Sequence, residues 1–178
     1  MNKTMTDMDL LRKAVRDVPD FPKAGIIFKD ITPILLDPRL FGVATAAMAS
    51  GFADRGVTRV VAVESRGFLF GAPIALQLGA GLVPVRKPGK LPSVRQRVQY
   101  ELEYGTDALE MHADAIGAHD RVLIVDDVLA TGGTAEAAGR LVRGQGAELA
   151  GYSFLIELGF LAGRDRLKPL PVEALIRY

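Results

Sequence analysis

Short runs of apolar residues, each almost uninterrupted, constrain this chain more than any other feature. They are VVAV in TRVVAVES (58–65), LVPV in LVPVRK (82–87), VLIV in RVLIVDDV (121–128) and YSFLI in GYSFLIEL (151–158). A strand with one wet face alternates apolar and polar residues, whereas a strand covered on both faces does not. Between these runs lie segments of helical spacing. Phe68 to Leu78 is followed by Gly79 and Gly81, and Thr134 to Val142 by Gly144 and Gly146. Glycine just past a helix is a stop signal. Buried strands alternating with helices predict an α/β fold with a central, mainly parallel sheet flanked by helices on both faces. A last strand is expected at VEALIRY (172–178), after a short polar helix or turn around Arg164 to Lys168.

The rest of the chain fits around that sheet. Met8 to Val18 reads as an amphipathic helix with Leu10, Leu11, Ala14, Val15 and Val18 on one stripe, ended by Pro19 and Pro22. GIIFKDIT (25–32) reads as extended. Asp37-Pro38 opens a helix with its body from Leu40 to Ala53 and its end at Gly56, since proline is tolerated in a first turn. VQYELEY and DALEMH alternate and flank Gly105-Thr106, which predicts a β-hairpin with those residues as its turn. No repeat, low-complexity tract or linker interrupts the 178 residues, so one domain spanning 1–178 is expected.

Composition excludes several chemistries. There is no cysteine, which removes disulfides, thiolate metal sites and thiol nucleophiles. The histidines are His112 and His119 only, and neither stands in a catalytic or metal-binding motif. A net charge of +1 gives no broad basic field for nucleic acid. No apolar run approaches the roughly 20 residues that span a bilayer. The first residues, MNKTMTDMDLLRKAV, lack the apolar core of a signal peptide. A cytoplasmic protein without membrane or nucleic-acid partners is expected.

Ligands of parallel α/β sheets sit beyond the carboxyl ends of the strands. The ends here are polar in unusual ways. The strand RVLIVDDV runs into Asp126 and Asp127 and then into Ala130-Thr131-Gly132-Gly133-Thr134, just before a helix. The first N–H groups of a helix have no internal partner, its dipole favours an anion, and glycines let a ligand approach the backbone. This describes a phosphate cradle, although the same residues would also serve as a plain glycine turn with a threonine cap. It has neither the lysine of a triphosphate loop nor the spacing of a dinucleotide loop. The adjacent carboxylates suit a sugar diol or a magnesium ion, because both take oxygen acceptors. Elsewhere on the same rim, Ser65-Arg66-Gly67 and the turn Lys87-Pro88-Gly89-Lys90 bring cations. Arginine offers a fork for phosphate oxygens. The rim as a whole suits a ligand with a monophosphate at one end, a sugar between, and a more highly charged group at the other.

VLIVDDVLATGGT resembles the signature of the type I phosphoribosyltransferases, which bind 5-phosphoribosyl 1-pyrophosphate. Further blocks are similar to the adenine-specific members of that family: FPKAGIIFKDITPILLDP (21–38), VESRGFLFGAPIALQLGAGLVPVRKPGKLP (63–92) and LEYGTDALEMHADAI (102–116). The similarity runs collinearly through nearly the whole chain. It implies the type I phosphoribosyltransferase fold, with a β-hairpin hood and an N-terminal base-binding segment. It also implies a magnesium-dependent reaction of adenine with 5-phosphoribosyl 1-pyrophosphate, giving AMP and pyrophosphate, and a homodimer. The metal would be held mainly through substrate and water.

By the same resemblance, Ala130 to Thr134 would hold the 5′-phosphate, and Asp126 and Asp127 the ribose hydroxyls. Ser65, Arg66, Lys87 and Lys90 would attend the pyrophosphate, and the Glu64-Ser65 peptide bond would be cis. Ile27, Phe28, Lys29 and Leu129 would meet adenine, with the backbone at 27 and 29 reading the base edge. Residues 91–112 would form the hood, with Glu103 as acid/base and Tyr104 beside it. Lys29 stands where arginine is common, and SVRQRVQ (93–99) carries Arg95 and Arg97 in place of a usual threonine. A transferase of the same fold acting on xanthine is the nearest alternative. A regulator that senses the same ligand would need a DNA-binding module, for which the residues before position 21 are too few.

Overall fold

A computed structural model describes residues 5–102 and 105–178, with the backbone alone for 101, 102 and 105. The chain gathers into two compact units, Met1–Ala47 and Met48–Tyr178.

The N-terminal unit opens with α1 (Asp7–Ala14). Thr6 starts it with a capping box: the Thr6 hydroxyl accepts the Asp9 N–H at 3.2 Å, and the Asp9 carboxylate accepts the Thr6 N–H at 3.0 Å. The helix stops short of the expected Val18, because Arg16–Pro19 forms strand β1 and pairs antiparallel with β2 (Ile27–Asp30). Val15 and Val18 favour extended backbone. Cross-strand ion pairs fix the register, Arg16 with Asp30 at 3.1 Å and Lys29 with Asp17 at 2.6 Å. A short helix, α2 (Thr32–Leu36), was not expected from the sequence. Next comes α3 (Pro38–Ser50), whose first turn is capped by the Asp37 carboxylate through the N–H groups of Arg39 and Leu40.

The larger unit is built on a five-stranded sheet in the order β4-β3-β7-β8-β9, every pair parallel. These strands are β3 (Arg59–Val63), β4 (Gly81–Val85), β7 (Arg121–Leu129), β8 (Glu148–Glu157) and β9 (Val172–Arg177). The uninterrupted apolar runs are explained by cover on both faces. On one face, Val61, Val63, Val83, Val85, Val122 and Ile124 join a buried cluster with Ala135, Ala138 and Leu141 of α5 (Gly133–Gly144). The alternate residues point the other way. There Ala62 meets α4 (Gly67–Leu78) at Gly71, where an added Cβ would collide with the Ala62 methyl. Gly79, with φ +64°, closes α4 as expected. Ser153 of β8 donates to the Met48 carbonyl at 2.9 Å. Within β8, Gly151 has φ +151° at a register shift and leaves no room for a side chain against Phe52 and the Pro171 carbonyl.

The hairpin is present, but its register differs from the expectation. Strands β5 (Arg95–Leu102) and β6 (Gly105–His112) pair so that Leu102 faces Gly105 and Tyr100 faces Asp107. Gly105 and Thr106 therefore lie in β6 rather than in the turn; residues 103 and 104 are outside the described residues. In this register Val98 stands opposite Leu109 and the buried Tyr100 opposite Asp107. The expected register is an even shift away and would keep the same residues on the inner face, so alternation alone does not choose between the two.

Candidate active site

Parallel strands put all their carboxyl ends on one rim, and the polar strand ends of the larger unit meet there. Asp126 and Asp127 are still within β7. Successive residues of a strand face opposite ways, so Asp127 is buried while Asp126 is part-buried. The Asp127 N–H donates to Asp126 Oδ1 at 2.9 Å. Arg66 Nε lies 2.8 Å from Asp127 Oδ2, yet among the described residues that oxygen receives no well-directed hydrogen bond, so it keeps acceptor capacity. Desolvation, and then the neighbouring Asp127 charge, push the Asp126 carboxyl well above its ordinary range. Asp127 is also raised by desolvation, against the pull of Arg66.

Residues 130–134 turn from β7 into α5. Gly132 has φ +82°, a conformation that favours glycine. With Val128, Leu129 and Ala135 the turn encloses an opening of about 60 Å³ into which the first N–H groups of α5 can point. The turn has a support that sequence reasoning missed. Gly163, at the start of a 3-10 turn (Gly163–Leu167), sits so close that a Cβ there would strike the Ala130 carbonyl and Gly132 N. Arg164 then grips the buried Glu157 at the end of β8 with a two-pronged pair, Nε to Oε1 at 3.1 Å and Nη2 to Oε2 at 2.6 Å. Arg177 Nε stands 3.8 Å from the same carboxylate. Arg164 first, against a smaller desolvation effect, draws the Glu157 carboxyl below its usual range. In the sequence this region showed only as a short polar connection around Arg164, after the strand that ends at Glu157.

At the end of β3 the Glu64-Ser65 peptide bond is cis, as the resemblance implied. Ser65 is exposed, and Gly67 allows α4 to begin against Asp126 and the Val125 carbonyl. Glu64 turns toward the next strand end. Its carboxylate accepts from Arg86 Nε at 3.1 Å and Nη2 at 3.3 Å, and from the Lys87 N–H at 3.1 Å. Desolvation raises this carboxyl, and the Arg86 and Lys87 hydrogen bonds outweigh it, leaving it below the ordinary value. Glu110 accepts the Gly89 N–H at 3.0 Å and pairs with Arg95 at 3.0 Å. The turn bearing Lys87 and Lys90 is thus held by its backbone, with Lys90 exposed. Arg95, with no assigned task in the sequence, is part of that support.

Ile27, Phe28 and Lys29 belong to the N-terminal unit. They lie in β2, which pairs on one side with β1 and so has an edge left. Phe28 stacks edge-on with Phe21 at 5.2 Å, Lys29 pairs with Asp17, and Ile27 is 57% exposed. Leu129 is in the larger unit, buried beside the 130–134 turn. Glu103 and Tyr104 lie outside the described residues.

Residues 34–169 match the phosphoribosyl transferase domain family. An adenine phosphoribosyltransferase of Anaeromyxobacter dehalogenans is 59% identical over 171 residues, which are 96% of this chain and 99% of its own length. Among solved structures, the adenine phosphoribosyltransferase of Rhodothermus marinus aligns with a TM-score of 0.92 and 53% identity, covering 97% of this chain and 98% of that one. The enzyme from Saccharomyces cerevisiae, crystallised with an imino-altritol bisphosphate and adenine, aligns with a TM-score of 0.89 and 45% identity over 95% and 98% of the respective chains.

Proposed function

The chain belongs to the phosphoribosyl transferase family, and we infer that within it the chain is an adenine phosphoribosyltransferase of purine salvage. It transfers the 5-phosphoribosyl group of 5-phosphoribosyl 1-pyrophosphate to adenine, giving AMP and pyrophosphate. The observation that carries this reading is the paired Asp126 and Asp127 leading into the 130–134 turn, in a chain 59% identical over nearly its full length to an adenine phosphoribosyltransferase.

Each group on the rim has a task in that reaction. The backbone N–H groups at 130–134, with the hydroxyls of Thr131 and Thr134, hold the 5′-phosphate at the positive end of α5. Asp126 and Asp127 accept the ribose hydroxyls and so fix the sugar between its charged ends. Arg66, Ser65, Lys87 and Lys90 face the pyrophosphate and stabilise the negative charge that grows on it as its bond to C1 breaks. The base nitrogen then attacks the electron-poor C1 from the opposite side. The backbone of β2 around Ile27 and Lys29, with Phe28, is assigned to the adenine edge, and Leu129 to its apolar surroundings. Glu103 is assigned as acid/base and Tyr104 as a hood residue, both by family resemblance. The hood excludes water that would otherwise attack C1.

Magnesium fits this donor set. It would be held mainly through the substrate and water, with Asp126 and Asp127 as hard oxygen acceptors for its water shell. When bound, the ion supplies further positive charge on the diphosphate. We place the enzyme in the cytoplasm, where such charged substrates are found, and no described helix is long and apolar enough to cross a membrane. Its partner is a second copy of itself.

The deciding assay measures pyrophosphate release from 5-phosphoribosyl 1-pyrophosphate and magnesium with adenine, hypoxanthine, guanine or xanthine. Turnover with adenine, far above the other bases, is expected. Absence of turnover with adenine overturns the reading, and equal turnover with xanthine removes the base assignment.

A further inference from the structure

Tyr100 and Asp107 have no task in the reaction as described, yet they link two of its groups, Lys87 and Thr134. They face each other across the hairpin, so their side chains share a face. Asp107 forms an ion pair with the Lys87 ammonium. Its Oδ2 also accepts the Tyr100 hydroxyl at 3.3 Å, and its Oδ1 accepts the Ala108 N–H at 2.7 Å. The Tyr100 hydroxyl in turn accepts from Thr134 Oγ1, in the phosphate turn, at 3.3 Å. Lys87 Nζ stands 5.9 Å from the centre of the Tyr100 ring. One continuous chain of polar contacts therefore runs from the phosphate turn, through the hairpin, to the pyrophosphate lysine.

We propose that Asp107, with Tyr100, is a positioning residue that holds the Lys87 ammonium ready for the pyrophosphate. This rests on the assignment of Lys87 to the pyrophosphate. An ammonium has three donors. Asp107 engages one and the Tyr100 hydroxyl, 3.4 Å from Lys87 Nζ, a second, which leaves one for the substrate. A free lysine loses much rotamer freedom on binding, and a lysine already fixed has lost it beforehand. Asp107 acts on the side chain alone, because the backbone of this turn has other anchors. Glu64 holds the Lys87 N–H, Glu110 holds the Gly89 N–H, and a main-chain bridge joins Arg86 to Glu110.

The test is steady-state kinetics of Lys87→Ala, Asp107→Asn and the double variant, with KM measured separately for each substrate. Asp107→Asn is expected to raise the KM for 5-phosphoribosyl 1-pyrophosphate roughly tenfold, the loss of one pre-ordered contact. The KM for adenine should stay within about twofold, and Asp107→Asn should add nothing once Lys87 is alanine. Asp107→Ala, which leaves no amide against the ammonium, is a second variant with the same expected split. A KM for the phosphoribosyl donor that is unchanged or lowered in both Asp107 variants, while Lys87→Ala raises it, overturns the positioning role alone. An unchanged KM in Lys87→Ala instead removes the assignment of Lys87 itself. Parallel rises in both KM values would mark a merely structural residue and also overturn the proposal.

Discussion

Asp126 shows how a binding residue works against the fold that carries it. Desolvation and the adjacent Asp127 charge raise its folded-state pKa above the unfolded 3.8. The folded protein therefore binds that proton more tightly than the unfolded chain. Stability falls as pH rises from about 4 toward the raised folded value. Asp126→Asn removes the part-buried, desolvated charge and keeps an oxygen to accept the Asp127 N–H. The variant should melt a few degrees higher at pH 7; about 1 kcal/mol corresponds to about 2–4 °C in a chain of this size. Its advantage over the parent should shrink near pH 4. Its KM for 5-phosphoribosyl 1-pyrophosphate should rise by about tenfold or more, as a charge-assisted acceptor for a ribose hydroxyl is lost. Melting curves at both pH values, with kinetics at pH 7, check both halves. A variant less stable than the parent at pH 7 would contradict the assignment. Paired carboxylates at the end of an apolar strand were legible in sequence for this reason: residues that break a local rule mark sites.

Elements were legible where periodicity alone decides them and obscure where a distant partner does. Strands β3, β7 and β8 followed from apolar runs, and α5 from spacing and its glycine stop. The end of α1 did not, because β1 forms by pairing with residues 27–30, and the hairpin register did not, because an even shift leaves the same side chains on the inner face and alternation cannot choose between the two. The turn at 163–167 was visible only as a polar connection. Its importance lies in Gly163 behind the phosphate turn and in Arg164 on Glu157, contacts with no local signature. Glu157 is held below its unfolded pKa, chiefly by Arg164. Its contribution is therefore present above about 4.5, the unfolded value, and is lost as pH falls through the depressed folded one. Glu157→Gln should destabilise the protein at pH 7 by about 2 kcal/mol, below the usual range for a broken buried pair because Arg164 is part-exposed. The variant should also lose the acid-side slope of the stability–pH curve. The phosphate turn would relax with its support, so the KM for 5-phosphoribosyl 1-pyrophosphate should rise as well. Denaturant titrations between pH 3 and 7 (roughly the window of this linkage) give the slope. A variant with the parent's slope would remove Glu157 as its source.

At the scale of the whole molecule, the sequence pattern marked the strands of the central sheet and the helices on its faces but not what covers the outer side of α4. α4 has the sequence GFLFGAPIALQL, without a single charged residue. A helix apolar all round belongs in an interior. Here one side packs on the sheet through Gly71 and Ala62, while Leu69 and Leu76, seven residues apart and so on one stripe, remain 45% and 84% exposed. Leu82 of the edge strand β4, which lies against Gly71 of the same helix, is 43% exposed. A patch of this kind on a sheet edge is a contact surface. The commonest way to cover it is a two-fold pairing with a second copy, in which each residue counts twice. Burying Leu76 contributes about 2 kcal/mol per copy, so its loss from both copies amounts to about 4 kcal/mol, or about a thousandfold in the dimer dissociation constant. The parent should therefore sediment at twice the 19.1 kDa of one chain, and Leu76→Glu, which keeps helix propensity and adds like charges across the contact, should sediment as a monomer at micromolar concentration. Circular dichroism separates this from unfolding, since the helix content of the variant should match the parent. A parent that remains monomeric at millimolar concentration would remove the second copy as the occupant of this face, and a Leu76→Glu protein that remains dimeric would move the interface elsewhere.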